Sequence, residues 1–297
     1  MNLSPLLLVV GPTGSGKTSL GIALCERLGG EIVSADSMQV YRGCDIGTAK
    51  ATPQEQARAR HHLIDIRDPD EEYSAAQWAQ DARAAIADIR ARDKQPIIVG
   101  GTGFYIRALL QPDVLPPVPP DPQLRVQLEM ESSAALHEKL ARHDSAAATR
   151  LHPRDRQRVI RALEIALTAS TPQSTPSPEA APPEYVAFAL DVPRALLYER
   201  LNRRVDAMLE AGFMEELRAL ATEYSPAAPA LRSLGYKQMQ PALSQSALFA
   251  EAVELWKRDT RRYAKRQMTW FRHQLPAHRL DATSGASVEQ LLALWRG

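Results

Sequence analysis

Four short stretches of the sequence combine residue types that could do chemistry. The first is Gly11-Pro12-Thr13-Gly14-Ser15-Gly16-Lys17-Thr18, a glycine followed after four residues by Gly-Lys-Thr. Glycines at this spacing let consecutive backbone N–H groups turn inward around an anion, a following helix N-terminus adds partial positive charge, and Lys17 brings a mobile ammonium. The Thr18 hydroxyl is then a ligand for Mg2+. The second stretch, Ser34-Ala35-Asp36-Ser37-Met38-Gln39-Val40-Tyr41, offers Asp36 as a proton acceptor, or as a turn former and helix cap. Gly100-Gly101-Thr102-Gly103 is a second glycine loop that allows close backbone approach and carries one hydroxyl, Thr102. The fourth is a series of basic runs, each of which could equally be a solvated face.

These stretches need a scaffold that brings them to one rim. Apolar runs at Leu6 to Val10, Glu31 to Ser34, His62 to Ile66 and Pro96 to Val99 alternate with longer helical patterns. That alternation predicts an α/β fold with a parallel sheet flanked by helices. Ligands bind at the carboxyl ends of parallel strands, which places the phosphate loop, Asp36 and Thr102 around one crevice. Ser74 to Arg92 reads as a helix, with Ser74 and Gln77 as a capping box. In Glu251 to Arg272, the residues Val253, Trp256, Thr260, Tyr263, Gln267 and Trp270 share one face, with Arg258, Arg261, Arg262, Lys265 and Arg266 opposite.

Proline marks two joints. Residues 112–122 and 171–183 together hold half of the 22 prolines and favour extended, semi-rigid connections. About fifty residues of helical pattern lie between them, including Arg125 to His143 and Arg156 to Ala169. The expected organisation is a catalytic core from residues 1–112 and 184–297, with a small helical insertion domain at 113–183 able to move against it. Beyond the second joint, Tyr185 to Val192 reads as a returning strand, and Arg194 to Ala211 as a helix ended by Gly212.

Composition narrows the class. The chain has 297 residues, 44% hydrophobic, and a formal net charge of only +1, so contact with nucleic acid must use local basic patches. Cys25 and Cys44 suit neither a disulfide framework nor a zinc site. There is no basic leader and no apolar run long enough for a membrane, so an intracellular, cytoplasmic protein is expected.

Seven motifs in order carry a resemblance. Beside the phosphate loop and Asp36-Ser37-Met38-Gln39 stand Asp45-Ile46-Gly47-Thr48-Ala49-Lys50, His61-His62-Leu63-Ile64-Asp65 and Gly100-Gly101-Thr102-Gly103-Phe104-Tyr105. Gly235-Tyr236-Lys237-Gln238 and Lys265-Arg266-Gln267-Met268-Thr269-Trp270-Phe271 follow. On these the chain resembles the tRNA dimethylallyltransferases over nearly its whole length. The resemblance implies transfer of a dimethylallyl group from dimethylallyl diphosphate to N6 of the adenosine 3′-adjacent to the tRNA anticodon. It also implies roles: Gly11 to Thr18 and Arg204 on the diphosphate, Mg2+ at Thr18, Asp36 as general base, and Thr102 beside the bridging oxygen.

The target base must be flipped out of the anticodon loop, and a tunnel meeting the diphosphate from the far side would receive it. Asp36, Ser37, Met38, Gln39 and Thr102 would contact that base. The anticodon stem-loop would be held by Arg125, by Asp155-Arg156-Gln157-Arg158-Val159, by Arg232-Ser233-Leu234-Gly235-Tyr236-Lys237 and by Lys265-Arg266-Gln267-Met268-Thr269-Trp270-Phe271-Arg272. A monomer is the expected working unit. No cysteine/histidine zinc extension follows Trp270-Phe271, so the compact bacterial type is the closer likeness, and the second joint lacks an expected glycine. Two other classes share the phosphate loop: a kinase moving phosphate from ATP to a small metabolite, and a non-catalytic RNA-binding nucleotide switch. A small-molecule kinase has no need of Asp36-Ser37-Met38-Gln39 together with a basic C-terminal helix.

Overall fold

The computed structural model describes residues 4–112, 115, 121–168, 183–283 and 288–296. The proline joints fall almost wholly outside these residues. Two compact units emerge, one made of residues 1–111 and 182–297, the other of residues 112–181.

Six parallel strands form the sheet of the first unit: β1 (Leu6–Val10), β2 (Glu31–Ala35), β3 (His61–His62), β4 (Pro96–Gly100), β5 (Tyr185–Asp191) and β6 (His278–Asp281). Their order is β3-β2-β4-β1-β5-β6. Every residue of β1, β2 and β4 is buried, as strands covered on both faces require. β1 lies between β4, with Val10 opposite Gly100, and β5, with Leu6 opposite Tyr185. The carboxyl ends of β1, β2 and β4 therefore stand side by side.

Helices α1 (Lys17–Leu28), α2 (Pro53–Arg58), α3 (Ala75–Ala91) and α4 (Gly103–Leu110) belong to the first half of this unit. The predicted capping box on α3 is present, with Ser74 Oγ accepting from the Gln77 N–H at 3.2 Å. The third strand is far shorter than the apolar run suggested. Pairing with β2 stops after His62, because Leu63 and Asp65 turn into positive φ (63° and 55°) and leave the extended region.

The second unit holds α5 (Pro122–Glu129), α6 (Ser133–His143), α7 (Ser145–Arg150) and α8 (Arg156–Thr168) around a core of Leu128, Leu136, Leu140, Val159, Ile160 and Leu163. The single helical pattern read from Arg125 to His143 is two helices. The break is at Ser132, whose side chain accepts from the Ala135 N–H and caps α6.

The chain then returns to the sheet through β5 and continues as α9 (Arg194–Glu210), α10 (Phe213–Glu223), α11 (Tyr236–Ser244), α12 (Phe249–Gln274) and, after β6, α13 (Val288–Arg296). Gly212, at φ 99°, ends α9 in the left-handed region as expected and opens α10. On α12 the buried stripe is Val253, Trp256, Thr260, Ala264, Gln267 and Phe271. The face read from sequence drifts by one residue toward its C-terminal end, since 3.6 residues per turn favours Ala264 and Phe271 over Tyr263 and Trp270.

Candidate active site

The phosphate loop joins β1 to α1. Gly14 and Gly16 hold φ of 78° and 91°, a region L side chains rarely adopt, so the curl of the loop depends on glycine at both positions. Lys17 folds back over it, donating from Nζ to the Pro12 carbonyl at 2.7 Å. Burial lowers the Lys17 ammonium to a pKa of about 8, with Asp36 opposing that shift and Arg204 adding to it. An anion seated in the loop would return what burial takes away. Ser15 Oγ is buried with no hydrogen-bond partner among the described residues.

Asp36 begins the turn after β2. Its Oδ1 accepts from the Met38 N–H at 2.9 Å and the Gln39 N–H at 3.4 Å. Thr102 is drawn against the same turn: its hydroxyl accepts from the Ser37 N–H at 3.0 Å, and its own N–H donates to the Ala35 carbonyl at 3.0 Å. Residues on either side of Asp36 thus fix Thr102, and the geometry brings together the acid and hydroxyl that the sequence set 66 positions apart. Tyr263 of α12 joins them; burial, and then the Asp36 charge, raise its phenol pKa well above the ordinary value.

One cavity of about 670 Å³ gathers Lys17, Asp36, Ser37 and Tyr263, with Thr102 held just behind its wall by the Ser37 N–H. Thr13, Gly14, Gly16, Lys17, Thr18 and Arg204 line it together with Asp36, Ser37, Met38 and Gln39. Its walls include the apolar side chains of Leu201, Val205, Met208 and Trp256. Gln267 ties two loops of the rim, its Oε1 accepting from the Thr13 N–H at 2.9 Å and its Nε2 donating to the Gly101 carbonyl at 2.9 Å. Arg204 lines the cavity and reaches Thr13 Oγ1 at 3.4 Å, whereas Arg203 lies on the surface beside Glu199 at 3.3 Å. Among the described residues no group of three or more His, Cys, Asp or Glu side chains could hold a metal ion. The donor set present, one loop hydroxyl at Thr18 beside a phosphate cradle, fits Mg2+ shared with phosphate oxygens and water.

A second concavity of about 650 Å³ is lined by Arg262, Lys265, Arg266, Thr269, Trp270, His273 and Gln274 of α12. The concavity continues past the predicted end of the run at Arg272, to His273 and the neutral Gln274. Arg232, Ser233 and Leu234 also line the main cavity, and Lys237 is exposed.

Several residues expected to touch RNA serve the fold instead. Tyr236, Phe271 and Val159 are at most 1% exposed, and Gln267 is 7% exposed. A helix turns every third or fourth residue of a basic run inward, so a contiguous stretch cannot face a partner as a whole. Arg125 is bound bidentately to the fully buried carboxylate of Glu164, at 2.7 and 3.0 Å, and anchors that charge within the second unit while its own side chain stays 36% exposed. Arg156 donates to the Glu129 carbonyl at 2.6 Å, whereas Arg158, 3.5 Å from Asp155, stays on the surface with its side chain 75% exposed. Gly235, with φ 95°, opens α11, and Met268 packs against the small core around Leu197 and Ala264. Conversely, the sequence reading put Tyr263 in a packing face and gave Met208 and Leu201 no role. Their one sequence signal was helical spacing from Trp256 and from Arg204.

Comparison with known proteins supplies what geometry alone leaves open. A family model described as IPP transferase matches residues 39–274. A tRNA dimethylallyltransferase from an Exiguobacterium species is 47% identical over 278 residues, covering 92% of this chain and 89% of the relative. One from Symbiobacterium thermophilum is 45% identical, covering 98% and 95%. Among solved structures, the full-length tRNA isopentenylpyrophosphate transferase of Bacillus halodurans superposes with a TM-score of 0.72 at 39% identity, over 99% of this chain and 95% of that one. A eukaryotic dimethylallyltransferase acting on tRNA does so with a TM-score of 0.80 at 27% identity, over 99% and 79%. These likenesses span the chain from the phosphate loop to the basic helix and leave the kinase and switch readings without support. A family model that matches residues 39–274 and relatives near 45% identical over more than nine-tenths of the chain show that it belongs to the IPP transferase family of tRNA dimethylallyltransferases.

Proposed function

We infer that the chain transfers a dimethylallyl group from dimethylallyl diphosphate to N6 of the adenosine 3′-adjacent to the anticodon of tRNA, releasing diphosphate. The observation that carries this reading is the single cavity in which Lys17 and Arg204 share walls with Asp36 and with apolar side chains. In the reaction the N6–carbon bond forms as the bond from that carbon to the diphosphate oxygen breaks, and one N6 proton leaves. Negative charge grows on the diphosphate, and the loop N–H groups, Lys17 and Arg204 stabilise it. Mg2+ at Thr18, bound with the diphosphate, would add charge neutralisation to the leaving group. Asp36 accepts the N6 proton as general base, and Thr102, held by Ser37, sits beside the oxygen that departs. Leu201, Val205 and Met208 enclose the prenyl chain and keep water from the reacting carbon.

The anticodon stem-loop rests on the outward basic residues Lys237, Lys265, Arg266 and Arg272, with the flipped base read by Ser37, Met38 and Gln39. The enzyme works as a monomer in the cytoplasm. No described helix is long and apolar enough to cross a membrane.

The test is a transfer assay with purified protein, Mg2+ and labelled dimethylallyl diphosphate. Label is expected on unmodified tRNA and not on tRNA lacking the adenosine next to the anticodon. Transfer of phosphate from ATP, with no prenyl transfer, would sink the reading. Replacing Lys265 and Arg266 together by glutamine is expected to weaken tRNA binding and lower the slope of log affinity against log salt by about 2, near one for each phosphate left without its cation. An unchanged slope would return this part of α12 to an ordinary solvated surface.

A further inference from the structure

The loop Asp45-Ile46-Gly47-Thr48-Ala49-Lys50 is restrained far beyond what a connection needs. Three successive N–H groups converge on the carboxylate of Glu216 in α10: Asp45 at 2.9 Å and Ile46 at 2.7 Å on Oε2, and Gly47 at 3.0 Å on Oε1. The Tyr236 hydroxyl donates to the same Oε1 at 2.6 Å. A Cβ at Gly47 would overlap the rings of Phe213 and Tyr236. From the other side Lys50 Nζ, with a side chain only 3% exposed, donates to Asp45 and Asp65 at 2.5 Å each and to the Tyr41 carbonyl at 2.8 Å. Ala49 is held at φ 48°, which a non-glycine residue adopts only under such constraint.

What this restraint delivers is a pair of carbonyls. Those of Thr48 and Ala49 accept from Gln39 Nε2 at 3.4 and 3.2 Å, while Gln39 Oε1 accepts from Ser34 Oγ at 3.3 Å. The carboxamide cannot turn over, because its oxygen would then face two carbonyl oxygens with no hydrogen between them. Its nitrogen is spent, so Gln39 can offer the cavity only an acceptor.

We propose that Glu216 is a positioning residue for base selection: by clamping the 45–47 backbone it fixes Gln39 Oε1 as an acceptor toward the entering base, favouring a purine with an amino group at its 6-position over one with a keto oxygen. The inference rests on the prenyl-transfer reading above. A 6-amino group has two hydrogens, one to meet Gln39 Oε1 and one for Asp36. A 6-keto oxygen would meet two acceptors and no donor. Selection of this kind works through the penalty placed on the wrong partner.

The experiment measures equilibrium binding of the full chain to two anticodon stem-loops that carry adenosine or inosine 3′ of the anticodon. The adenosine loop is expected to bind roughly 10- to 100-fold more tightly, the scale of one or two unmatched buried polar groups. Glu216→Gln sets an amide nitrogen against the loop N–H groups and is expected to narrow that ratio to within about threefold, with affinity for dimethylallyl diphosphate kept. If both loops weaken alike and the ratio survives, Glu216 is merely structural and the proposal is overturned. Should Glu216→Gln fail to fold, Gln39→Met, which leaves the clamp intact, must collapse the same ratio; a preserved ratio overturns the proposal. A wild-type protein that prenylates the adenosine loop yet binds both loops equally refutes the inference and leaves the function standing. Absence of transfer to the adenosine loop refutes the function, and the inference with it.

Discussion

Asp36→Asn is expected to lower the rate of the chemical step by ~10²- to 10⁴-fold while leaving affinity for tRNA within about threefold of wild type. The substitution separates the two roles an aspartate can have at this position. An asparagine Oδ1 can still accept from the N–H groups of Met38 and Gln39, so the turn after β2 keeps its hydrogen bonds. What disappears is the capacity to take a proton from a poorly nucleophilic amine. The negative charge is lost as well, and with it the support that Asp36 gives to the Lys17 ammonium. Single-turnover rates should therefore be compared near pH 7, below the Lys17 pKa of about 8, where removing that support costs the least protonation. Turnover at the wild-type rate would reduce Asp36 to a turn former.

Gly100→Ala is expected to be the most damaging single methyl in the core unit. Gly100 pairs with Ala35 across β4 and β2, and a Cβ there would overlap the Ala35 carbonyl. Backbone cannot swing aside as a flexible side chain does, so the strands must part at their carboxyl ends. The cost belongs at the upper end of overpacking effects, about 3 kcal/mol, or roughly 6–12 °C in Tm for a unit of this size. The same Ala35 carbonyl accepts the Thr102 N–H, and Asp36 follows it directly. Loss of activity should thus exceed what the melting shift predicts. Gly29→Ala is the contrasting control: unlike the extended Gly100 it lies at positive φ, 63°, and it has open space around its Cβ. It should cost about 1 kcal/mol and leave turnover alone. If the two variants melt together, the strand-end packing argument fails.

Much of this architecture was legible in the residues. The apolar runs at Leu6 and Pro96 became fully buried strands because a parallel sheet covered by helices needs no alternation. The phosphate loop, Asp36 and Thr102 met at one rim because strand ends do so in any such sheet. The sequence could not show which member of a basic run points outward. Tyr236 and Phe271 lie in motifs beside Lys237 and Arg272, yet helical geometry sends the first two into the core and the others to solvent. Nor could it reveal long-range partners. Nothing in the sequence pairs Arg125 with Glu164, 39 positions away, whose buried carboxylate its guanidinium holds. Glu216 carried no signal at all, since a glutamate on an amphipathic helix is ordinarily a solvated one. Its meaning depends on three backbone N–H groups some 170 residues earlier.

The strand order also governs how the chain is made. β1 needs a neighbour on each side, and β4 supplies one by residue 100. The other, β5, begins at residue 185, after the whole of the second unit. At a synthesis rate of about 5–20 residues per second, the far edge of β1 waits roughly 4–17 s for its partner. During that interval a buried, wholly apolar strand presents unpaired backbone to anything nearby. The second unit, with its own core, can complete itself in the same seconds. Birth of the enzyme is therefore gated by a late strand, and its most vulnerable moment falls before any substrate can be bound.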